Sequence, residues 1–283
     1  MSTAAQVPLL LALAERSDTL PKTQRVLARH VLRNYQSVAF ATITELARQT
    51  GVSEASVVRF ANAFGYSGYP AFQKEIRRIV RADLKGTDRL QLADSADTPL
   101  ARTIAKEREN IAALEEAHDP AALAEAVAIL TGAREILIAG ARSTASLAAH
   151  LWFALAKLRL PVTRLDATAS EATDRVARLD RHGCLVAIGF PRYLRTLIAL
   201  LALAKERGAR TIVITDSPFS PLGGDVGLHA PAESASFVAF HAAPLILINT
   251  LVEALVRANP ERAAEALAAF ESLAERERYF QPA

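Results

Sequence analysis

Residues 44–65 read TELARQTGVSEASVVRFANAFG. They hold two brief apolar patterns of helical spacing, separated by Gly51 and restarted at Ser53. With Ser53 as N-cap of the second helix, Val57, Phe60, Ala61 and Phe64 fall at i, i+3, i+4 and i+7, one apolar stripe. The first helix has Ile43, Leu46, Ala47 and Thr50 on the same spacing, with Thr42 and Glu45 placed as a capping box. Gly51 supplies a left-handed turn between them. Two amphipathic helices joined so tightly cross steeply, the helix-turn-helix geometry. A preceding helix over 22–35, with Leu27 and Val31 inward, completes a trihelical core.

With the stripe inward, the second helix shows Ala55, Ser56, Arg59 and Asn62 outward. Small and polar residues with one Arg suit a helix in the DNA major groove, where Arg pairs with guanine O6 and N7. Ser53 at the helix start can hold a phosphate with the free backbone N–H groups. Glu54 can accept from a cytosine amine, or only favour the helix dipole. Lys74, Arg77, Arg78 and Arg81 on a further helix are candidate phosphate contacts, each of which would steepen the salt dependence of binding. The same spacing also fits a plain helical hairpin inside a larger helical domain, with Arg59 as a surface ion-pair partner. Charge weighs towards DNA. Residues 1–85 hold 12 Lys and Arg against 6 Asp and Glu, net +6, whereas the rest of the chain holds 21 against 24, net −3. A polyanion-binding module joined to a mildly acidic domain has that asymmetry.

At 283 residues the chain is long enough for two domains. It is 51% hydrophobic, 22% charged and only 6% aromatic, a helix-rich composition that excludes disordered and fibrous classes. The single Cys184 excludes an intrachain disulfide and a Cys-based zinc site. The six His are scattered without ligand spacing, so no metal is expected. No apolar run is long enough to span a bilayer, and the early run 7–14 is broken by Glu15 and Arg16. The expectation is a cytoplasmic protein with no membrane partner.

The composition breaks at 83–99, a polar stretch with Gly86 and Pro99 that reads as a linker. A helical stretch follows to Ala117, then Asp119-Pro120, an N-cap and first-turn Pro. From Glu135 the pattern alternates. Apolar runs at 136–139, 161–165, 184–188 and 211–214, with a short one at 226–229, are separated by helical stretches, the last a long apolar helix over 240–256. Apolar strands alternating with helices imply a parallel sheet covered on both faces. Ligands of such sheets bind outside the strands' carboxyl ends, so the loops from Gly140, Gly189 and Thr215 outline the candidate pocket.

The motifs ITELA (43–47), GVS (51–53), VVRF (57–60) and FGYSGYPAFQ (64–73) resemble the MurR/RpiR family of bacterial transcriptional regulators. GARST (140–144), AKERGAR (204–210), ITDS (214–217) and SPL (220–222) resemble that family's sugar isomerase (SIS) domain. The resemblance covers nearly the whole chain. It implies an α/β protein: an N-terminal all-α helix-turn-helix domain (1–82), a linker and connecting helix (83–118), and a SIS-type domain with a parallel sheet flanked by helices (119–283). It also implies double-stranded operator DNA as partner, a small anionic metabolite such as a sugar phosphate as effector, and a homo-oligomer, dimer or tetramer, built through the SIS domain.

SIS domains that bind sugar phosphates use hydroxyls in two loops after strands. Ser143 and Thr144 match the first loop, though Ser143 can equally be an N-cap. The second departs. Where the pattern has Ser-x-Ser-Gly-x-Thr, this chain reads Gly189-Phe190-Pro191-Arg192-Tyr193-Leu194, without a hydroxyl in register. Arg192, Tyr193 and Arg195 remain, and an arginine can fork onto a carboxylate or phosphate; a solvated helix start or an inter-subunit ion pair is the other reading. Glu233 is placed as a further effector contact. Glu233 and His241 are the candidate bases should the domain be an isomerase, although a cap or surface charge is the plainer role for Glu233. There is no Walker loop and no full dinucleotide fingerprint, so no cofactor is expected, and a non-enzymatic regulator is the first reading.

Overall fold

The computed structural model describes residues 8–17, 19–83, 98–218, 220–234, 236, 239 and 241–281, without the side chains of Pro8, Leu11 and residues 81–83. Residues 84–97, most of the expected linker, lie outside the described residues, as does Phe240. Contacts divide the chain into Met1–Ala93 and Asp94–Ala283.

The first unit is five helices: α1 (Pro8–Arg16), α2 (Lys22–Val38), α3 (Ile43–Thr50), α4 (Glu54–Ala63) and α5 (Tyr69–Asp83). Helix α2 touches the other four. It contributes Leu27, Ala28, Val31 and Val38 to a core shared with Leu46, Ala47, Val57, Phe60, Ala61, Phe72, Ile76 and Ile79. The rings of Phe60 and Tyr66 meet Phe72 edge-on at 5.6 and 5.5 Å, contacts worth about 0.5–1.5 kcal/mol each beyond the area they bury. Local chemistry sets the helix ends. Glu45 N–H donates to Thr42 Oγ1 at 3.2 Å while Thr42 N–H donates to Glu45 Oε2 at 2.7 Å, closing the capping box. The Thr42 N–H, together with the Thr42 hydroxyl that donates to the same Oε2 at 3.0 Å, holds the Glu45 carboxyl below its ordinary pKa. Gly51 stops α3 at φ 67°, a backbone region that penalises any Cβ. Phe64, expected on the inward stripe, is only half-buried, with the Arg16 guanidinium 5.0 Å above its ring. It is the last residue of the stripe and lies past the end of α4.

The second unit runs α6 (Pro99–Ala117), α7 (Pro120–Gly132), β1 (Glu135–Gly140), a 3-10 turn (Arg142–Thr144), α8 (Ala145–Lys157), β2 (Val162–Asp166), α9 (Ser170–Ala177), β3 (Gly183–Ile188), α10 (Arg195–Glu206), β4 (Arg210–Thr215), β5 (Val226–His229), α11 (Ala242–Ala258) and α12 (Pro260–Arg276). The five strands form one sheet in the order β2-β1-β3-β4-β5, every pair parallel. Alternation decides which face each side chain joins. Ile136, Ile138, Val186, Ile188, Ile212 and Ile214 join one core with residues of α7, α8 and α11. Leu137, Ala139, Leu185, Ala187 and Val213 join another with residues of α9 and α10. Both faces are covered, so the strands are apolar throughout. The strand order reverses between β1 and β3, and in sheets of this kind ligands bind beyond the carboxyl ends of the strands at that point, here called the crevice. Cys184 sits at the centre of the sheet, and burial pushes its thiol up to about 12, leaving it inert. Among the described residues no single helix is long and apolar enough to cross a membrane.

Candidate functional site

On α4 the structure places Ala55, Val58, Arg59 and Asn62 in solvent and hides Val57, Phe60 and Ala61. Ser56 corrects the expectation: it is buried, at 8% exposure. It precedes Phe60 by four residues and so lies at the edge of the apolar stripe. Its hydroxyl meets Ser53 Oγ at 2.9 Å and accepts from Arg59 Nη2 at 2.9 Å. Val58 takes the outward place at the opposite edge, a residue the sequence reading missed because its type suggested core. Ser53 caps α4 as expected, accepting from Ser56 N–H at 3.3 Å. The Glu54 carboxylate accepts from Thr44 Oγ1 at 2.6 Å and so ties the starts of α3 and α4 together.

Helix α5 positions the approach to α3. Tyr69 Oη and Gln73 Nε2 both donate to the Ala41 carbonyl, at 2.7 and 2.5 Å, and Arg77 Nε donates to the Ala39 carbonyl at 2.7 Å. Burial raises the Tyr69 phenol to about 12, so it remains a donor. Lys74 is exposed and Arg77 keeps an exposed side. Arg78 departs from the expected open phosphate contact. It is forked onto Glu75, with Nε–Oε2 2.9 Å and Nη2–Oε1 2.8 Å, both side chains largely buried. Leaving Glu75 buried without that partner would be costly, which is why the pair closes inward. The side chain of Arg81 lies outside the described residues.

In the second unit, β1 ends at Gly140. A Cβ there would lie 2.9 Å from Ala148 Cβ and 3.0 Å from the Thr144 carbonyl, so the loop folds back onto α8 only with glycine. Thr144 is buried, and its hydroxyl both donates to the Ala141 carbonyl (3.0 Å) and accepts from the Ala141 N–H (3.2 Å). It therefore closes the loop on itself, whereas the sequence reading placed Thr144 as an effector contact. Ser143 is exposed within the 3-10 turn and is not the N-cap of α8. Arg142 beside it, unnoticed in the sequence, is exposed with φ 56°.

The loop after β3 is built differently. Phe190 is buried, Arg192 is exposed with φ 36°, and Arg195 is exposed at the start of α10. Tyr193 Oη donates to Asp216 Oδ1, which also accepts from Thr215 Oγ1 at 3.2 Å. The Tyr193 hydroxyl thus anchors the loop to the end of β4, where the sequence suggested an effector contact. Glu233 also faces elsewhere than expected. Its N–H donates to Asn110 Oδ1 (3.2 Å), its carbonyl accepts from Asn110 Nδ2 (2.9 Å), and its carboxylate lies 3.6 Å from Lys106 Nζ. Both partners belong to α6, 123 residues away for the Asn110 contacts, a separation no local pattern reveals. His241 immediately precedes α11, its ring 6.0 Å from that of Phe190. Its Nε2 is buried without a hydrogen-bond partner among the described residues. Burial holds His241 below the ordinary imidazole pKa against the opposing pull of Glu107, and burial does the same for His229 at the end of β5. No three His, Cys, Asp or Glu among the described residues are grouped to hold a metal.

A family model described as a helix-turn-helix domain of the rpiR family matches residues 7–80, and one described as a SIS domain matches 129–254. The HTH-type transcriptional regulator HexR of Pseudomonas aeruginosa is 30% identical over 242 residues, spanning 80% of this chain and 83% of that protein. An uncharacterized HTH-type transcriptional regulator of Caldanaerobacter subterraneus subsp. tengcongensis is 24% identical over 253 residues, spanning 87% and 88%. Among solved structures, the sugar isomerase domain of an RpiR transcription factor from Sphaerobacter thermophilus aligns with a TM-score of 0.60 at 26% identity, over 62% of this chain and 99% of that one. The Vibrio vulnificus NanR protein complexed with ManNAc-6P aligns with a TM-score of 0.56 at 22% identity, over 94% and 97%, a likeness of fold.

Proposed function

Because the chain belongs to the RpiR family of helix-turn-helix transcriptional regulators, we propose that Ala55, Val58, Arg59 and Asn62 read its operator and that its SIS domain answers to a small anion. The single observation behind the first part is the outer face of α4, where a row of small and polar side chains surrounds one arginine while the apolar side is consumed by the core. Such a helix can lie close against base edges, with Arg59 on a guanine and the Val58 methyls against a thymine methyl. Ser53, Lys74 and Arg77 would meet phosphates and set register. Glu54, tied to Thr44, would stay at the rim. In this reading residues 1–82 hold DNA, 83–118 connect, and 119–283 sense and pair.

For the anion, the support is chemical. The loops after β1 and β3 carry Arg142, Arg192, Arg195 and the exposed Ser143, and the guanidinium groups of the three arginines make no hydrogen bond or ion pair among the described residues. Arg142 and Arg192 occupy left-handed backbone, which costs on the order of 1–3 kcal/mol each for a residue with a Cβ and clusters at ligand sites. Strands β1 and β3 are neighbours, about 4.8 Å apart, so the two guanidinium groups can reach one ligand. Guanidinium forks replace the missing hydroxyls for a phosphate or carboxylate. A sugar phosphate or related acid fits, in keeping with the sugar phosphate bound by NanR. Isomerase chemistry is not part of the proposal, since the Glu233 carboxylate is drawn to Lys106. We assign the exposed Trp152 and Phe153 on α8 and Ile246 on α11 to contacts with a second copy in a homodimer.

The test is a gel shift titrated on the DNA upstream of the chain's own coding sequence, at stated salt. Specific retardation that disappears when residues 1–82 are removed supports the reading. Equal affinity for random DNA contradicts it.

A further inference from the structure

We infer that Phe40, held outward in the turn before α3, is a DNA contact of a different kind from the arginines: its ring packs on the deoxyribose of a backbone strand. The inference rests on the DNA reading of α4 given above and adds a non-electrostatic contact to it.

A single apolar side chain in solvent is ordinary, and exposure alone would decide nothing. Among the described large apolar side chains of the first unit Phe40 is the most exposed, at 69% against 41% for Val26. What sets it apart is its mounting. Val38, Ala39 and Ala41 around it are buried, so the turn faces inward everywhere except at the ring. The turn is pinned by its own backbone: Ala39 N–H donates to the Tyr35 carbonyl at 3.0 Å, Phe40 N–H to the Ser37 carbonyl at 3.1 Å and Ala41 N–H to the Val38 carbonyl at 3.3 Å. It is pinned again from α5. Arg77 Nε donates to the Ala39 carbonyl, while Tyr69 Oη and Gln73 Nε2 both donate to the Ala41 carbonyl. The residues on both sides of Phe40 are thus held by three side chains, and none of these bonds uses the ring. A polar residue would serve the turn as well in water. The ring is presented in advance and loses little backbone freedom on meeting a partner.

Position selects that partner. Helix α3 starts at Ile43 behind the Thr42 cap, and the Thr44–Glu54 bond ties that start to the start of α4. Phe40 therefore stands three residues ahead of the end of α3 that lies beside the amino end of the proposed reading helix. In helix-turn-helix complexes the second helix enters the major groove while the first crosses the backbone. A side chain just ahead of α3 accordingly meets the sugar–phosphate strand. Lys74 and Arg77 are exposed on α5, and Arg77 is fixed to the residue before Phe40. Between successive phosphates the strand offers the C–H faces of a deoxyribose, an apolar surface a phenyl ring can cover. Cations on the phosphates and a ring on the sugar between them make one continuous footprint. A second copy of the chain is the rival occupant. Residues 1–85 carry net +6, and such a surface repels its own copy while it attracts a polyanion.

The experiment titrates the full chain, over a range of salt concentrations, against two fluorescent duplexes: the DNA upstream of its own coding sequence and a scrambled duplex of equal length. Phe40→Ala should raise Kd about tenfold on both, about 1.4 kcal/mol, because the backbone carries no direct sequence information. The slope of log Kd against log salt should not change, since the ring releases no counterions. Lys74→Ala is the contrast, with a slope shallower by about one. Phe40→Leu, which keeps an apolar side chain, should stay within about threefold of wild type. Tm and the sedimentation coefficient of Phe40→Ala should match wild type, because the ring is exposed. A Phe40→Ala Kd within about twofold of wild type overturns the inference, and so does a loss confined to the upstream duplex, which would put the ring on a base. A slope that falls as in Lys74→Ala, a lowered Tm or altered sedimentation also overturns it, giving the ring to charge placement, to the fold or to a second copy. Wild type that binds neither duplex sinks the DNA reading as a whole, whereas wild-type binding with Phe40→Ala unmoved sinks this inference alone.

Discussion

The two surfaces assigned to ligands treat their arginines in opposite ways. On α4, Arg59 is already bonded to Ser56, which is bonded to Ser53, and Glu54 is held by Thr44. At the crevice, Arg142, Arg192 and Arg195 make no such bonds among the described residues, and two of them sit on strained backbone. A duplex is a large, rigid ligand of fixed geometry, and a face set in advance loses little side-chain entropy on meeting it. A small anion is caught by charges that reorganise around it, and the strain is relieved or offset by the new bonds. The contrast teaches where specificity and where response should reside: the first in a helix face fixed by its own bonds, the second in the arginines after β1 and β3.

The comparison can be broken at four points, in falling order of effect. Phe60→Ala removes a fully buried ring from beneath α4 and should cost about 3–5 kcal/mol in the first unit. Calorimetry should then show a lowered transition for that unit, with operator binding lost and the other unit's transition in place. Arg59→Ala should cost about 1–3 kcal/mol on operator DNA and little on random DNA, read by anisotropy at one salt concentration. Arg192→Ala should weaken phosphate-dependent stabilisation about tenfold in Kd, near 1.4 kcal/mol, with operator binding in the absence of the anion unchanged.

The smallest effect is on pH. Burial keeps His229 and His241 below the ordinary imidazole value in the folded chain. The unfolded chain therefore takes up protons first as pH falls through about 6.5. Stability of the second unit is full above that pH and is lost as pH falls through the lower folded-state values. His241→Gln should flatten the curve of Tm against pH in that range; an unchanged slope would remove His241 from the account.

Much of the fold could be read from short-range chemistry. The Thr42–Glu45 box, the left-handed Gly51, the Ser53 cap and the five apolar runs each involve neighbours within a few residues, and each leaves a local trace. What escaped lies at long range or at the edge of a stripe. Ser56 reads as outward by residue type, yet its place four residues before Phe60 draws it in. Arg78 reads as a phosphate contact until Glu75 is known to be buried beside it. Asn110 and Glu233 carry no sign of one another in sequence, and only the packing of α6 brings them together. At the crevice the departure at Gly189–Leu194 was visible, but Arg142 was not, because its significance is a backbone angle.

The most direct test of the central claim is a base-by-base substitution scan of the bound operator, comparing wild type with Arg59→Ala and Lys74→Ala. Loss of discrimination at one base pair in each half-site for Arg59→Ala, against a uniform weakening for Lys74→Ala, is the expected result. If Arg59→Ala instead weakens every sequence alike and leaves the preference at each position intact, the exposed face of α4 does not read bases, and the account fails at its foundation.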